Sequence, residues 1–301
     1  MSGNNEIDIT GEHVVYKFSP SNPAKYRINS GDVISVRTPD CFHGQIQTEK
    51  DSHEKLDMHK VNDSVGPIYV EGAEPGDTLS VEILNIEVID NHGVMMVIQE
   101  YGLLKDEVKE SRTKICPIKN GEIRFSDRVT IPVMPSVGTI GVAPSNSEID
   151  TVTPGYHGGN LDTAEIGAGN IILFPVNVRG ALLALGDCHA AIGDGEICVT
   201  GVEVPAVVKA KVEVVKDLRI DRPIIETKDE WMTLASAENL EEACRIASKD
   251  MIELLRKNIN MSFMDAYMLL SAVGRLKISQ MVNPLVTVRM CLSKKYLSNI
   301  R

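Results

Sequence analysis

Short apolar runs broken by turn clusters dominate the first two thirds of the chain. HVVYKF, SPSNPAKY, INSGD and VISVRT follow one another between residues 13 and 38, the rhythm of a sandwich or barrel and not of strands alternating with helices. Residues 66–88 predict two strands joined by a turn at Pro75-Gly76, and Val81 and Ile83 fall on one side of the alternation. Short strands are expected again over 95–104, 114–117, 122–125 and 129–134, with proline frequent at their ends, and strongly apolar ones over 169–176 and 181–185. VPAVVKAKVEVV, 204–215, reads as a half-exposed strand with its lysines outward. From Thr227 the period changes. Apolar residues three and four apart predict amphipathic helices over 234–258 and 262–278, the second opened by Ser262 and Asp265, with Met251, Leu254, Leu255, Met264, Met268, Leu269 and Leu270 as core contacts. A final strand over 285–292 is expected to return to the sheet. The predicted class is mainly β, with sandwich-like sheets and two C-terminal amphipathic helices: a β-rich region over 1–225 and a helical segment with a returning strand over 226–301, packed on the same core.

One stretch departs from this pattern. LLALGDCHAAIGDGEICVTGVE, 182–203, has apolar flanks that read as strands, yet its middle holds Asp187, His189, Asp194 and Glu196 within ten residues. In extended backbone, residues two apart share a face, so Asp187 and His189 form one pair, and Asp194 and Glu196 another if their segment is extended too. Ala-Ala-Ile-Gly between them is short enough for the pairs to converge as three carboxylates and one imidazole, a donor set for a divalent metal such as zinc. A polar loop rich in turn residues accounts for the same letters, and the stretch alone does not separate the two.

Other polar positions stand out against the strand pattern. Pro39 to Gln45 is a polar cluster directly after a strand; 49–63, with His53 and His59, reads as a solvated surface segment; Glu71 closes a strand, where it either caps the turn or aims into a cavity. His157 precedes Gly158-Gly159, with Asn160 and Asp162 just beyond, and two glycines there let backbone approach closely.

A net charge of -11 and a pI near 5.2 argue against nucleic-acid or anionic-membrane partners, which call for basic surfaces. No targeting-type start and no membrane-length apolar run is read, so a cytoplasmic location is expected. Six scattered cysteines without a C-x-x-C pair are expected to be free thiols.

GPIYVEGAEPGDTL at 66–79, PGYHGGNLD at 154–162, GDCHAAIGDGEICVTGVE at 186–203 and NPLVTVRM at 283–290 resemble, in this order, the landmark segments of the acetamidase/formamidase family. The resemblance implies a mainly β fold with appended helices, hydrolysis of short-chain and in some members cyclic amides, and a bound divalent metal, zinc foremost. Carried onto this chain, it marks Asp40 and Gln45 in PDCFHGQI, Glu71, His157, Asn160, Asp187, His189 and Glu196. The chain departs from the family in having His43 in place of a glycine, and Gln99 to Gly102 where relatives show a proline-glycine segment.

The expected mechanism has His157, Asp187, His189 and Asp40 holding the metal and Glu196 moving the proton, with Asp194 and Glu71 as rivals. Asn160 or Gln45 would hold the amide or its developing oxyanion. A second reading makes Cys188 the nucleophile, although strand alternation turns it away from His189. A third is a non-catalytic β-sandwich module whose acidic cluster holds calcium. A homodimer is expected from the prevalence of closed symmetric assemblies.

Overall fold

A computed structural model describes residues 6–300. Strands Thr78–Val88 and Ala206–Val215 pair along nearly their whole length and form the middle of a nine-stranded sheet. The alternation of Ala206–Val215 is realised: Ala206, Val208, Ala210 and Val212 are buried, and Val207, Lys209 and Lys211 face outward. A second, eleven-stranded sheet is built around Leu183–Ala191, which lies between Ser136–Gly141 and Val202–Val204 and also pairs with Ser64–Glu71. Val36, Val81 and Ile83 of the first sheet join Val137, Ile140, Leu183, Leu185 and Val202 of the second in one continuous apolar cluster, so the two sheets close on a shared core.

The helices are shorter than the sequence period predicts. α1 spans Leu240–Ile259, opened by Asn239, whose side chain accepts from the Glu242 amide, and α2 spans Phe263–Val273, opened by Ser262. The expected extensions are strands: Glu230–Ala237 pairs with Val286–Ser293, which pairs on its other side with Arg275–Gln280. The run WMTLASA fits a helix face by spacing, but Asn239 starts the helix later and the run is buried on both faces. Three strands after residue 226, where one returning strand was expected, therefore extend the nine-stranded sheet. Trp231, Ala243, Ala247, Met251 and Leu255 make a second core between α1 and that part of the sheet. Met264 and Met268, expected inside, are 64% and 60% exposed, because α2 buries only Ala266 and Leu270 fully. Among the described residues no helix is long and apolar enough to cross a membrane, and all six cysteines are free.

Candidate active site

Strand Leu183–Ala191 places Asp187 and His189 on one face of the second sheet, as two-residue spacing requires. Glu203, on the neighbouring strand, is the direct cross-strand partner of His189. Asp162 enters just past Gly158–Asn160, and Glu196 comes from the loop between Leu183–Ala191 and Val202–Val204. Four carboxylates thus surround one imidazole. From His189 Nε2 the distances are 3.3 Å to Glu203 Oε2, 3.8 Å to Asp162 Oδ1, 3.8 Å to Asp187 Oδ1 and 4.0 Å to Glu196 Oε1. Each of the five residues is at most 7% exposed.

Glycines make room for this convergence. A Cβ on Gly138 would come within 2.5 Å of Asp162 Oδ1 and 2.6 Å of His189 Cε1, so the neighbouring strand must pass the cluster without a side chain. The backbone is also strained there, with φ of 41° at Asp162, 55° at Asp187 and 42° at Glu196, a left-handed region that costs non-glycine residues about 1–3 kcal/mol each when the surroundings enforce it.

Charge crowding follows from the geometry. Burial, then the neighbouring carboxylates, raises Glu196 well above the usual carboxylate range, Asp162 to about 6 and Glu203 to about 8. Burial alone would lower His189, but Glu203, Asp187 and Asp162 outweigh it and raise the imidazole to about 10. One imidazolium does not balance four buried carboxylates. Asp162 Oδ1 and Glu196 Oε2 are buried without a hydrogen-bond partner among the described residues, a costly arrangement unless something else binds there. Two adjoining sets of donors, Asp162/His189/Glu196 and Cys41/Asp187/Glu203, each hold their ligand atoms within 4.8 Å of one another. Carboxylate oxygen, imidazole nitrogen and thiol fit a divalent metal of zinc's preferences better than calcium, which takes oxygen alone.

The other residues singled out in the sequence divide. Asn160 belongs here: its Oδ1 lies 2.5 Å from Thr139 Oγ1, which lies 3.2 Å from Asp187 Oδ2. Asp40 spends its carboxylate on its own turn, accepting from the amides of Phe42 at 2.8 Å and Gly44 at 3.2 Å, and it is the adjacent Cys41 that reaches the cluster. Gln45 is half-buried and exchanges hydrogen bonds with the Asp57 backbone. Glu71 pairs with Arg27 at 3.0 Å on the outer surface. Asp194 diverges from Glu196 because Gly195 and Glu196 are both left-handed and the segment is not extended; its carboxylate meets the buried guanidinium of Arg289. Asp162, Glu203 and Cys41 carried no role in the sequence reading. The signal for Glu203 was a lone acid in an otherwise buried Val-Glu-Val strand.

His157 is buried but stands apart from the cluster, edge-on to Phe18 with ring centroids 5.0 Å apart, and neither ring nitrogen has a partner among the described residues. Burial lowers its pKa to about 4. A folded-state value below the usual 6.5 means that the unfolded chain takes the proton first, so the stability contribution is complete above pH 6.5 and is lost as pH falls toward 4. Urea unfolding at pH 7 and pH 5 should show the parent losing about 2 kcal/mol more than His157→Phe, whose side chain does not titrate.

Cys188 faces the opposite side of the strand from His189, inside the inter-sheet core, with Thr38 Oγ1 3.5 Å from its sulfur. Burial pushes its thiol to about 12, the reverse of what a thiolate nucleophile needs. Cys188→Ala should leave kcat within about twofold of the parent while costing roughly 1–2 kcal/mol of stability from the lost core contact; steady-state kinetics beside urea unfolding checks both.

This mainly β fold has solved counterparts. The fold matches an acetamidase from Bacillus halodurans at a TM-score of 0.95, with 41% identity over 97% of this chain and 99% of that one. It matches a predicted acetamidase/formamidase from Thermoanaerobacter tengcongensis at 0.95, with 42% identity over 97% of both. The acetamidase/formamidase family model matches residues 4–151 and 146–294, and the chain belongs to that family. Among curated relatives, a formamidase from Methylophilus methylotrophus is 26% identical over 67% of this chain, which spans 64% of that protein's length.

Proposed function

We propose that the chain is a metal-dependent amidohydrolase that splits short-chain amides of the formamide or acetamide type into a carboxylic acid and ammonia. The observation that carries this reading is the convergence of Asp162, Asp187, Glu196 and Glu203 on His189 with carboxylate oxygens left unpartnered in a buried site. Family membership and relatives named acetamidase and formamidase support it.

Asp162, Asp187, His189 and Glu203 would hold the cation, zinc by the donor chemistry, with Cys41 within reach of Asp187 and Glu203. When bound, such a cation polarises a carbonyl and lowers the pKa of water from 15.7 to about 7. Glu196 takes a proton from the attacking water and returns it to the departing nitrogen, a role suited to a carboxyl whose affinity for protons is raised by burial and by neighbouring acids. Amide and water are consumed, and acid and ammonia leave. Asn160, tied to Asp187 through Thr139, would orient the amide, whereas Gln45 spends its side-chain amide on the Asp57 backbone. His189 separates this reading from a calcium module, which has no use for an imidazole at the centre of its ligands.

The deciding experiment measures ammonia released from formamide, acetamide and a small lactam, before and after chelation, with metal analysis of the same sample. Release that falls on chelation and returns with zinc supports the reading; release untouched by complete metal removal overturns the metal dependence.

A further inference from the structure

The segment NPLVTVRM supplies none of the five clustered ionisable groups, yet it carries the only arginine among the described residues whose side chain is fully buried. Arg289, on Val286–Ser293, is 0% exposed. Its Nη2 donates to Glu165 Oε1 at 3.1 Å and to Asp194 Oδ1, its Nη1 donates to Ile278 O at 3.1 Å and to Ser279 Oγ at 3.2 Å, and its Nε lies 2.9 Å from Glu165 Oε2. A planar fork with five donors can serve these directions at once, which a lysine cannot.

The partners are what give this arrangement meaning. Glu165 lies three residues beyond Asp162, and Asp194 two residues before Glu196, so one guanidinium ties together the two loops that bring those carboxylates to the site. The same strand region adds parallel links: Gly195 N donates to Ser279 O at 2.9 Å, Thr163 Oγ1 donates to Ser279 Oγ at 2.9 Å, and Asn283 Nδ2 donates to Asp162 Oδ2 at 2.7 Å. The loop of Glu196 cannot hold its shape unaided. Gly195, Glu196 and Val199 have φ of 98°, 42° and 102°, and a β-branched residue there is held only by its surroundings. Asp194 has 47% of its side chain exposed, so its ion pair is not required to bury it.

We propose that Arg289 is a positioning residue of the proposed amidase site: through Asp194 and Glu165 it fixes the loops bearing Glu196 and Asp162 relative to each other. It touches no reacting atom. The inference rests on the amidase reading for its kinetic readout and not for its structural one.

The test compares the full-length parent with Asp194→Ala, Asp194→Glu, Arg289→Lys and, as a control, Arg222→Ala, which breaks a half-buried ion pair with Asp250 elsewhere. Asp194→Ala should lower kcat for formamide by about 10–100-fold with KM and melting temperature nearly unchanged, the usual effect of losing a group that orients a ligand or catalytic residue. Asp194→Glu should recover part of the loss, and Arg222→Ala should leave kcat at the parent value. Amide hydrogen exchange over 192–199 should accelerate in Asp194→Ala and Arg289→Lys, with 162–166 accelerating in the latter, and zinc affinity by chelator competition should weaken in Arg289→Lys, which loosens the loop of Asp162, and hold in Asp194→Ala. Should Arg289→Lys fail to fold, the Asp194 variants decide alone. Unchanged exchange over 192–199 together with kcat within about twofold of the parent in Asp194→Ala overturns the positioning role. If the parent releases no ammonia, the amidase reading fails, and exchange and zinc affinity still decide this one.

Discussion

Glu196→Gln is expected to lower kcat by about 10²–10⁴-fold, the range lost with a general acid–base group. The substitution preserves volume and the loop's left-handed turn requirement while removing the proton-carrying oxygen. A neutral amide at this position would also relieve the charge crowding that holds the Glu196 carboxyl well above its usual range. Stability should therefore hold or rise, and zinc content should survive because Asp162, Asp187, His189 and Glu203 remain. Kinetics, metal analysis and thermal unfolding on one preparation check all three statements. Activity near that of the parent would remove Glu196 from the mechanism and send the search to Glu203, a neighbouring buried acid whose own pKa is raised to about 8.

His189→Ala should be the more damaging change, because it takes away the nitrogen donor of the proposed cation site and, while no cation is bound, the only positive charge facing four buried carboxylates. Removing one partner from a buried ionic group costs about 3–5 kcal/mol, since the rest is left uncompensated. Part of that cost is avoided if the carboxyls take up protons, so the variant should be least stable at high pH and recover as pH falls. Turnover should drop to background and zinc should no longer co-purify. His189→Gln, which returns a polar group without charge, should recover some stability and no activity. Urea unfolding between pH 5 and 8, with metal analysis, distinguishes this from a histidine that merely fills space: in that case stability would be lost equally at every pH.

The centre of the site was legible in the sequence because period-two alternation within one strand is a local fact: Asp187 and His189 share a face, and Cys188 between them does not. Asp162 and Glu203 were not legible, because only strand register sets Glu203 opposite His189 and brings the end of Gly158–Asn160 beside them. The pairing of Asp194 with Glu196 failed for a local reason, two successive left-handed residues that a strand pattern does not foresee. His157 misled in the opposite sense. Glycines beside a histidine indicate close packing, and His157 packs edge-on against Phe18, outside the two donor sets of the cluster. In the fold, the alternations at Thr78–Val88 and Ala206–Val215 were readable, whereas the strand expected over 95–104 ends at Val97, and 234–237 and 275–278 were absorbed into the helices because their spacing suits either form and only pairing with Val286–Ser293 decides.

The left-handed backbone at Asp162, Asp187 and Glu196 has a bearing on how such a chain can be improved. Anyone raising its heat tolerance by matching residues to their torsion angles would be led to glycine or asparagine at these three places, where the gain in stability is real. Each replacement would strip a carboxylate from the proposed site, so durability has to be sought in the exposed face of α2 and in the outer loops, and these positions left as they are.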